Sequence, residues 1–315
     1  MRLTMVDATV LVLQSLYHRS FKVARLPKSS RHLTKRTVVL TAVAMLAFAA
    51  NSLLCRLALG RELIDAASFA SIRVISGAVT LSLIILVRGR FGGPWANWRA
   101  VTSLFAYMVL FSFAYLSLSA GTGALVLFGA VQLTMFSFAL REGERFTWLS
   151  WAGLATAVLG LIYLVSPGVT APDPWGAILM AGAGISWGFY SLLGRGAADP
   201  LAATARNFLY SVPLVLIVNL FFLHDVSVSS YGFILAVVSG AAASGCGYVI
   251  WYAALSDLTA TRAATVQLSV PVIAAFGGVA LISEAVTLRL LLGSALTLGG
   301  VAIVLAQRAA KASQS

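Results

Sequence analysis

Residues 143–165 read GERFTWLSWAGLATAVLGLIYLV, and the pattern returns in residues 283–305, SEAVTLRLLLGSALTLGGVAIVL. Glu144 of the first stretch matches Glu284 of the second, and two glycines follow each glutamate at the same spacings. Apolar composition alone does not produce a shared spacing of this kind. The chain therefore contains an internal repeat, and the period of that repeat is the first guide to its architecture.

The composition is that of a membrane protein. The chain is 60% hydrophobic and 10% charged, with a mean hydropathy of +0.93, whereas soluble domains contain about 25% charged residues. Ten apolar segments are long enough to cross a bilayer. Each is predicted to be an α-helix, because hydrocarbon cannot satisfy backbone groups and the alternation of barrel strands is absent. The segments span approximately residues 37–57, 66–87, 99–118, 122–140, 147–166, 175–194, 201–222, 231–252, 260–282 and 287–306.

The internal repeat extends to the ends of these segments. NSLLCR, residues 51–56, closes the first segment, and YSLLGR, residues 190–195, closes the sixth. Asp65 opens the second segment and Asp199 opens the seventh, so each aspartate is a predicted N-cap, with Pro200 at the first helical position. Each repeat holds five segments, an odd number, so the two copies enter the membrane from opposite sides. The sequence predicts an all-α polytopic membrane protein with ten transmembrane helices in two inverted five-helix repeats.

The predicted boundaries place the first repeat at residues 37–166 and the second at residues 174–307, with tails at residues 1–36 and 308–315. Lys and Arg concentrate in the tails and in the loops on the N-terminal side of the membrane. The positive-inside rule then predicts a multi-pass protein of the cell (inner) membrane with both termini in the cytosol. The net charge is +12, and we expect the basic residues to contact anionic lipid at the membrane surface. No nucleic-acid partner is expected.

Catalytic and metal-binding constellations are absent from the sequence. All acidic residues map to the tails, the loops or the helix ends, and the three histidines lie in the N-terminal tail or in a loop. Acid–base and metal chemistry needs such groups to converge. No catalytic residue, metal or cofactor is therefore expected, and no mid-membrane carboxylate is available for a proton relay.

The chain resembles the drug/metabolite transporter superfamily, specifically its ten-helix members with two EamA-type repeats. The resemblance covers residues 37–307 and rests on SWGFYSLLGR (186–195), DPLAATARNF (199–208), GERFTW (143–148) and YAALSDLTATRAATVQLSVPVIAAFGGVALISEAVTL (252–288). It implies export or facilitated movement of amino acids, nucleosides, amines or related metabolites. It also implies a central cavity lined mainly by helices 1, 3, 4, 6, 8 and 9. The first repeat departs from the family pattern in helices 1 and 4.

Polar and aromatic side chains within the apolar segments are the candidates for this cavity, because amides in hydrocarbon need partners. They are Asn51, Tyr107, Tyr115, Gln132, Trp187, Tyr190, Trp251 and Gln267. Rings and amides without fixed charge suit a neutral, zwitterionic or soft cationic solute. Two alternatives remain open: the amides bridge helices, and the aromatics belong to the interfacial belt. Pro271, in the middle of its segment, is the candidate for a helix break.

Two arginines fall inside apolar segments: Arg73 in the second and Arg206 at the equivalent place in the seventh. One buried arginine can extend to the membrane surface, but a pair related by the repeat indicates a shared role. We expect each to anchor its helix to the other half as part of a gate. The expected partners are backbone carbonyls or a helix-end acid, Glu284 outside and Glu144 inside. Binding of an anionic solute is the alternative.

Together these features predict a secondary transporter that exports a small organic solute by alternating access. Facilitated transport or exchange is expected rather than tight proton coupling, since no buried carboxylate is present. The alternative is a non-transporting membrane protein, either an assembly scaffold or a membrane-embedded enzyme. The expected partners are the small-molecule solute and membrane lipids. The chain is expected to be a monomer or a homodimer through helices 5 and 10, whose small residues recur at helical spacing.

Overall fold

The computed structural model describes residues 34–88, 97–143, 146–168, 171–194, 197, 199–255, 257–258 and 260–312. Within these ranges nine helices are long and apolar enough to cross a membrane, and a shorter apolar helix covers Trp98–Ala114. The same ranges contain no β-strand, only an isolated antiparallel bridge between Ile64 and Val228. The protein is an all-α polytopic membrane protein. The predicted N-terminal tail lies almost entirely outside the described residues.

The helices of the described ranges are numbered here in chain order. They are α1 Lys35–Gly60, α2 Ala66–Val87, α3 Trp98–Ala114, α4 Ala120–Arg141, α5 Trp148–Val165, α6 Pro174–Gly194, α7 Pro200–Phe221, α8 Ser230–Leu255, α9a Ala260–Gln267, α9b Ser269–Ile282 and α10 Leu288–Ala312. The ten predicted segments agree with these helices, and the second segment has the same limits as α2. Helix α3 ends earlier than predicted because residues 115–117 form a turn.

Side-chain caps fix where several helices begin. The carboxylate of Asp65 accepts a hydrogen bond from the backbone N–H of Ser68 (2.8 Å). Asp199 accepts from Leu201 and Ala202 at the start of α7. Both predicted N-caps are confirmed, and each satisfies backbone donors that the first turn of a helix leaves without a partner.

Two helices depart from regular α-helical geometry. Helix α8 contains a π-helical segment at Ser239–Cys246. Helix α9 is interrupted at Leu268, three residues before Pro271. Proline has no N–H to donate to the carbonyl four residues earlier, here that of Gln267, and its ring crowds that carbonyl. The position of Pro271 therefore accounts for the interruption.

The helices of the two halves pack in matching pairs. Helix α1 packs against α8 and α9b, and α6 packs against α3 and α4; α2 packs against α7, α4 against α9b, and α5 against α10. Each of these pairings has a counterpart when every helix is exchanged for the one at the same place in the other half. This correspondence agrees with a repeat of five helices, whereas the boundaries 37–166 and 174–307 stay a prediction.

Small residues allow α5 and α10 to touch along their backbones. A Cβ atom added to Gly153 would lie 2.7 Å from the carbonyl oxygen of Gly300, and one added to Gly160 would lie 2.6 Å from Oγ1 of Thr297. Neither position has room for a larger side chain, so the helices approach closely. This face of the two helices is buried within the chain. The predicted homodimer through helices 5 and 10 would need their other faces.

Substitution of Gly300 tests this contact, because the neighbouring residue offers a matched control. A Cβ at Gly300 would overlap the backbone of Gly153 and Ala157, whereas one at Gly299 would have no atom within 4 Å. Gly300→Leu is expected to lower the free energy of unfolding by about 1–3 kcal/mol. The measurement is the melting temperature in detergent, compared with that of Gly299→Leu. Equal melting temperatures for the two variants would contradict the contact.

Candidate functional site

A small cavity lies at the centre of the bundle, between helices of both halves. Its walls come from α1, α3, α4, α6 and α8, and it has a volume of about 20 Å³. Such a volume holds about one water molecule, whereas pockets for small organic ligands measure roughly 300–1,000 Å³. The cavity is closed to a solute in this conformation. Its lining residues are Phe48, Asn51, Ser52, Tyr107, Phe111, Leu127, Phe128, Trp187, Ala243, Ser244 and Tyr248.

Three of the predicted cavity residues meet here. The side-chain N–H of Asn51 donates to the hydroxyl of Tyr107 (3.5 Å). The ring of Trp187 lies 4.9 Å from that of Tyr107, centroid to centroid. The indole also stacks on Tyr248 at 5.3 Å, with the ring planes 18° apart. One wall is thus a surface of stacked rings. The polar groups of the lining include the amide of Asn51 and the hydroxyls of Ser52, Tyr107, Ser244 and Tyr248.

Tyr190 belongs to a second polar cluster, nearer the start of α7. Its hydroxyl donates to Oγ1 of Thr204 (3.1 Å) and accepts from the side-chain amide of Asn207 (3.5 Å). The hydroxyl of Tyr252 lies 3.2 Å from the same Thr204 oxygen. This cluster joins α6, α7 and α8. The ring of Tyr190 lies 5.5 Å from Trp187, which connects the cluster to the central cavity.

The other predicted cavity residues lie elsewhere in the described structure. Tyr115 caps the end of α3, and its hydroxyl donates to the carbonyl of Ala120 (3.4 Å). Gln132 lines a separate small cavity between α4, α5 and α10. Trp251 packs edge-on against Phe48. Gln267 is the last residue of α9a, at the interruption of helix 9.

Arg73 is completely buried, at 0% exposure, and its guanidinium contacts residues of the cavity wall. Its Nη2 donates to the hydroxyl of Tyr107 (3.1 Å) and its Nε donates to the hydroxyl of Ser244 (3.4 Å). The guanidinium carbon lies 4.6 Å from the centre of the Phe111 ring. Nη1 has no hydrogen-bond partner within the described residues. Desolvation of a guanidinium costs several kcal/mol, whereas a desolvated cation–π contact contributes about 2 kcal/mol or more. The contacts with Phe111 and Tyr107 therefore offset part of that cost.

The π-helical segment of α8 supplies contacts that the sequence did not predict. Ser244 accepts from Arg73, and the hydroxyl of Ser239 donates to Oδ1 of Asn51 (2.6 Å). A Cβ at Gly240 would overlap the backbone carbonyl of Arg73, so α2 and α8 touch at this point. The only sequence signal was the run SGAAASGC, in which small residues permit both a wide turn and a close neighbour.

Glu284 pairs with an arginine other than the one predicted. Its Oε1 lies 3.0 Å from Nε of Arg56, and its Oε2 accepts from the backbone N–H of Ala120 (2.9 Å). Arg56 also donates to the carbonyls of Tyr115 and Leu116. The expected contact between Arg73 and Glu284 is not present among the described residues, because Arg73 points into the bundle while Arg56 sits at the end of α1.

Arg56 could have been found from the repeat. NSLLCR and YSLLGR match Arg56 to Arg195, and the opening pattern matches Glu284 to Glu144. The predicted inner gate residue Glu144 lies outside the described residues. Arg206 is half-buried in α7, and its Nε has no hydrogen-bond partner within the described part of the chain. The gate roles of Arg73, Arg206, Glu144 and Glu284 stay predictions.

Groups that could hold a metal ion do not occur within the described ranges: no three His, Cys, Asp or Glu side chains come together there. The cysteines of these ranges, Cys55 and Cys246, are free thiols. The central cavity therefore presents hydrogen-bonding groups and rings, which suit binding of a solute, and the buried guanidinium of Arg73 lies behind its wall.

Known proteins resemble the chain over most of its length. Residues 174–306 match the model of the EamA-like transporter family. The chain is 46% identical over 281 residues to the uncharacterized protein PA1977 of Pseudomonas aeruginosa, covering 89% of this chain and 98% of the relative. It is 27% identical over 248 residues to an uncharacterized transporter of Archaeoglobus fulgidus, covering 73% and 86%.

A third relative is the probable terminal-alkyne amino-acid exporter of Streptantibioticus cattleyicolor, 26% identical over 211 residues, covering 64% of this chain and 70% of the relative. One solved crystal structure has the same fold as this chain, with a TM-score of 0.65 and 20% sequence identity. The match covers 87% of this chain and 98% of that one.

Tyr107→Phe tests the hydrogen-bond network of the cavity. The hydroxyl of Tyr107 accepts from both Arg73 and Asn51. Its removal leaves buried donors without an acceptor, which is expected to cost about 1–3 kcal/mol of stability. The measurement is the melting temperature of purified protein. Tyr231→Phe is the control, since Tyr231 is 52% exposed; the prediction is wrong if both variants melt with the parent protein.

Proposed function

We propose, since this chain belongs to the EamA-like transporter family of the drug/metabolite transporter superfamily, that it exports a small organic solute by alternating access to its central cavity. The cavity is the observation that supports this most, because both halves build it. Asn51 and Tyr107 come from the first half, and Trp187 and Ser244 come from the second. A relative movement of the halves would therefore change the size of the cavity and its access.

The small volume of the cavity agrees with a closed stage of the proposed cycle. About 20 Å³ excludes an amino acid or a nucleoside, so a solute can enter only after the halves separate at one end. In the described structure Arg56 and Glu284 join the end of α1 to the α9b–α10 loop and to the start of α4. We assign this pair to the outer gate. This assignment places the chain in the inner membrane with both termini in the cytosol.

Amino acids, nucleosides and amines are the proposed solute classes. Stacked rings offer a surface for an aromatic group or for an amine through a cation–π contact. The name of the Streptantibioticus cattleyicolor relative, an amino-acid exporter, supports the amino acid and the outward direction. We expect facilitated transport or exchange, because the described carboxylates lie at helix ends and not beside the cavity.

A non-transporting role is the alternative. A membrane-embedded enzyme needs converging acid, base or metal groups, and the cavity walls carry none among the described residues. An assembly scaffold has no need of a polar cavity between its two halves. Nucleic acid and cofactors have no part in the proposed function.

Membrane lipids are the expected occupants of a second, larger space. A groove of about 750 Å³ runs between α4, α5 and α6, with mostly apolar walls and Arg141 among its lining residues. Its side chains Ile178, Ile185 and Phe189 are exposed at the outside of the bundle. Acyl chains fit such a surface, so we do not assign it to the solute.

Counterflow tests the cavity as the transport path. Proteoliposomes loaded with one unlabelled amino acid, nucleoside or amine should accumulate the labelled form of at least one of them. Ala243→Leu fills the cavity and is expected to slow exchange about tenfold or more, as one misfitting side chain does in a binding pocket. Ala242→Leu is the matched control, because Ala242 is exposed and Ala243 lines the cavity. Equal exchange by the two variants, or no exchange of any solute, would sink the proposal.

Thiol labelling tests the outer gate. Cys55 is buried beside Arg56, so in a Cys246→Ala background it reports opening at this end. Glu284→Gln removes an ion pair worth about 1 kcal/mol, which should raise the labelling rate by an impermeant maleimide about fivefold. Glu62→Gln, at an exposed position of the same end, should leave the rate unchanged. A Glu284→Gln rate equal to the parent rate would exclude a gate at this pair.

A further inference from the structure

The Arg73 guanidinium has more hydrogen-bond donors than the protein satisfies. A guanidinium carries five N–H donors. In the described structure Nε and Nη2 each have one hydroxyl partner, Ser244 and Tyr107, and Nη1 has none. Because the side chain is 0% exposed, bulk water does not complete the set. Buried polar groups in native proteins usually have partners, so this site lacks an acceptor in this conformation.

The charge of Arg73 also lacks a counter-charge. Its hydrogen-bond partners are two neutral hydroxyls, and its ring contacts are Phe111 and Tyr107. The carboxylate of Glu284 pairs with Arg56 and not with Arg73. An arginine keeps its positive charge even when it is buried. The surroundings therefore favour an anion, and none of the described side chains beside Arg73 supplies one.

Arg73, which lacks an acceptor and a counter-charge, lies next to the cavity wall. Three residues that contact its guanidinium, Tyr107, Phe111 and Ser244, also line the cavity. An opening of the cavity at these side chains would bring a solute to the guanidinium. The same wall carries Trp187 and Tyr248, whose stacked rings can hold an apolar or aromatic group.

We infer that Arg73 binds the carboxylate of the transported solute, and that this solute is a carboxylic acid with an apolar or aromatic side chain. An amino acid is the member of this class that also carries an amine. The inference rests on the proposed transport function. A carboxylate offers two oxygens in the plane that the guanidinium fork matches, so it fills the free donors and neutralises the charge together. The ammonium group of an amino acid would face the rings or the amide of Asn51.

Matched compounds test the inference on the purified full-length chain. The probes are phenylalanine, phenylalaninamide, phenethylamine and 3-phenylpropanoate, with leucine, leucinamide, isoamylamine and 4-methylpentanoate as a second series. A ligand that binds the folded protein raises its melting temperature. The acids should bind about tenfold or more tightly than the amides and amines, since only the acids supply a negative charge and two acceptor oxygens to Arg73. The same order should hold for competition in counterflow.

Arg73→Lys separates this role from a structural one. Lysine keeps the charge but cannot form the forked contact, so the affinity for the acids should fall about tenfold or more while that for the amides and amines stays the same. Arg99→Lys is the control, since Arg99 is exposed near the start of α3, and it should leave the acid affinities unchanged. The comparison of compounds on the parent protein stands even if Arg73→Lys does not fold.

Several outcomes would overturn the inference. They are equal binding of acids and amides, no binding of any acid in either series, acid binding by Arg73→Lys at the parent affinity, or stabilisation by chloride or phosphate alone. Exchange of amines or nucleosides that ignores Arg73 would refute the carboxylate site and leave the transport function intact. Absence of exchange for every solute class would refute the transport function itself.

Discussion

Hydrocarbon offers no hydrogen-bond partner, so each polar group in the spans of this protein must find one inside the chain. Serine and threonine hydroxyls donate back to the carbonyl one turn earlier, as Ser112 does to Met108 and Thr134 to Ala130. Aspartates cap the first turns of α2 and α7. At the centre the same requirement links α1, α2, α3 and α8 through side chains alone. The cavity lies where these links gather, because the polar groups that hold the helices together are also those that a solute can contact.

Sequence analysis predicted the features that depend on neighbouring residues. The helices follow from runs of apolar residues, the caps at Asp65 and Asp199 follow from helix starts, and the interruption before Pro271 follows from a missing N–H. The partner of Glu284 was not predictable in this way, since Arg56 lies 228 positions away in sequence. The repeat relates each helix to its counterpart but does not state which side chains meet across the two halves. The neighbours of Gln132 were not predictable either. Its helix is apolar on all sides, so the sequence does not indicate which other helices its amide faces.

The fold brings two kinds of interface together. Glycine and other small residues join α5 to α10 at backbone distance, and the guanidinium of Arg289 in α10 adds a hydrogen bond to the carbonyl of Leu164 at the end of α5. The contacts around the cavity are polar and aromatic, and they include a buried cation. Close apolar packing resists separation because it loses many contacts at once. Hydrogen bonds at a cavity can be exchanged for bonds to a solute or to water. Helices α5 and α10 therefore suit a rigid frame, while the helices that line the cavity suit a site that opens.

The relative strengths of the contacts indicate where such an opening begins. The side chains of Arg56 and Glu284 are 23% and 14% exposed, so water reaches their ion pair and can replace it. Separation of Arg73 from Tyr107 and Ser244 would remove partners from a fully buried charge, at a cost of several kcal/mol. The weaker contact breaks first. Glu284 holds the α9b–α10 loop and the start of α4, and both would then separate from the end of α1. The interruption at Leu268 provides a point between α9a and α9b where the chain can bend. Arg73 would stay with its hydroxyl partners during this movement, with Nη1 still free for a carboxylate.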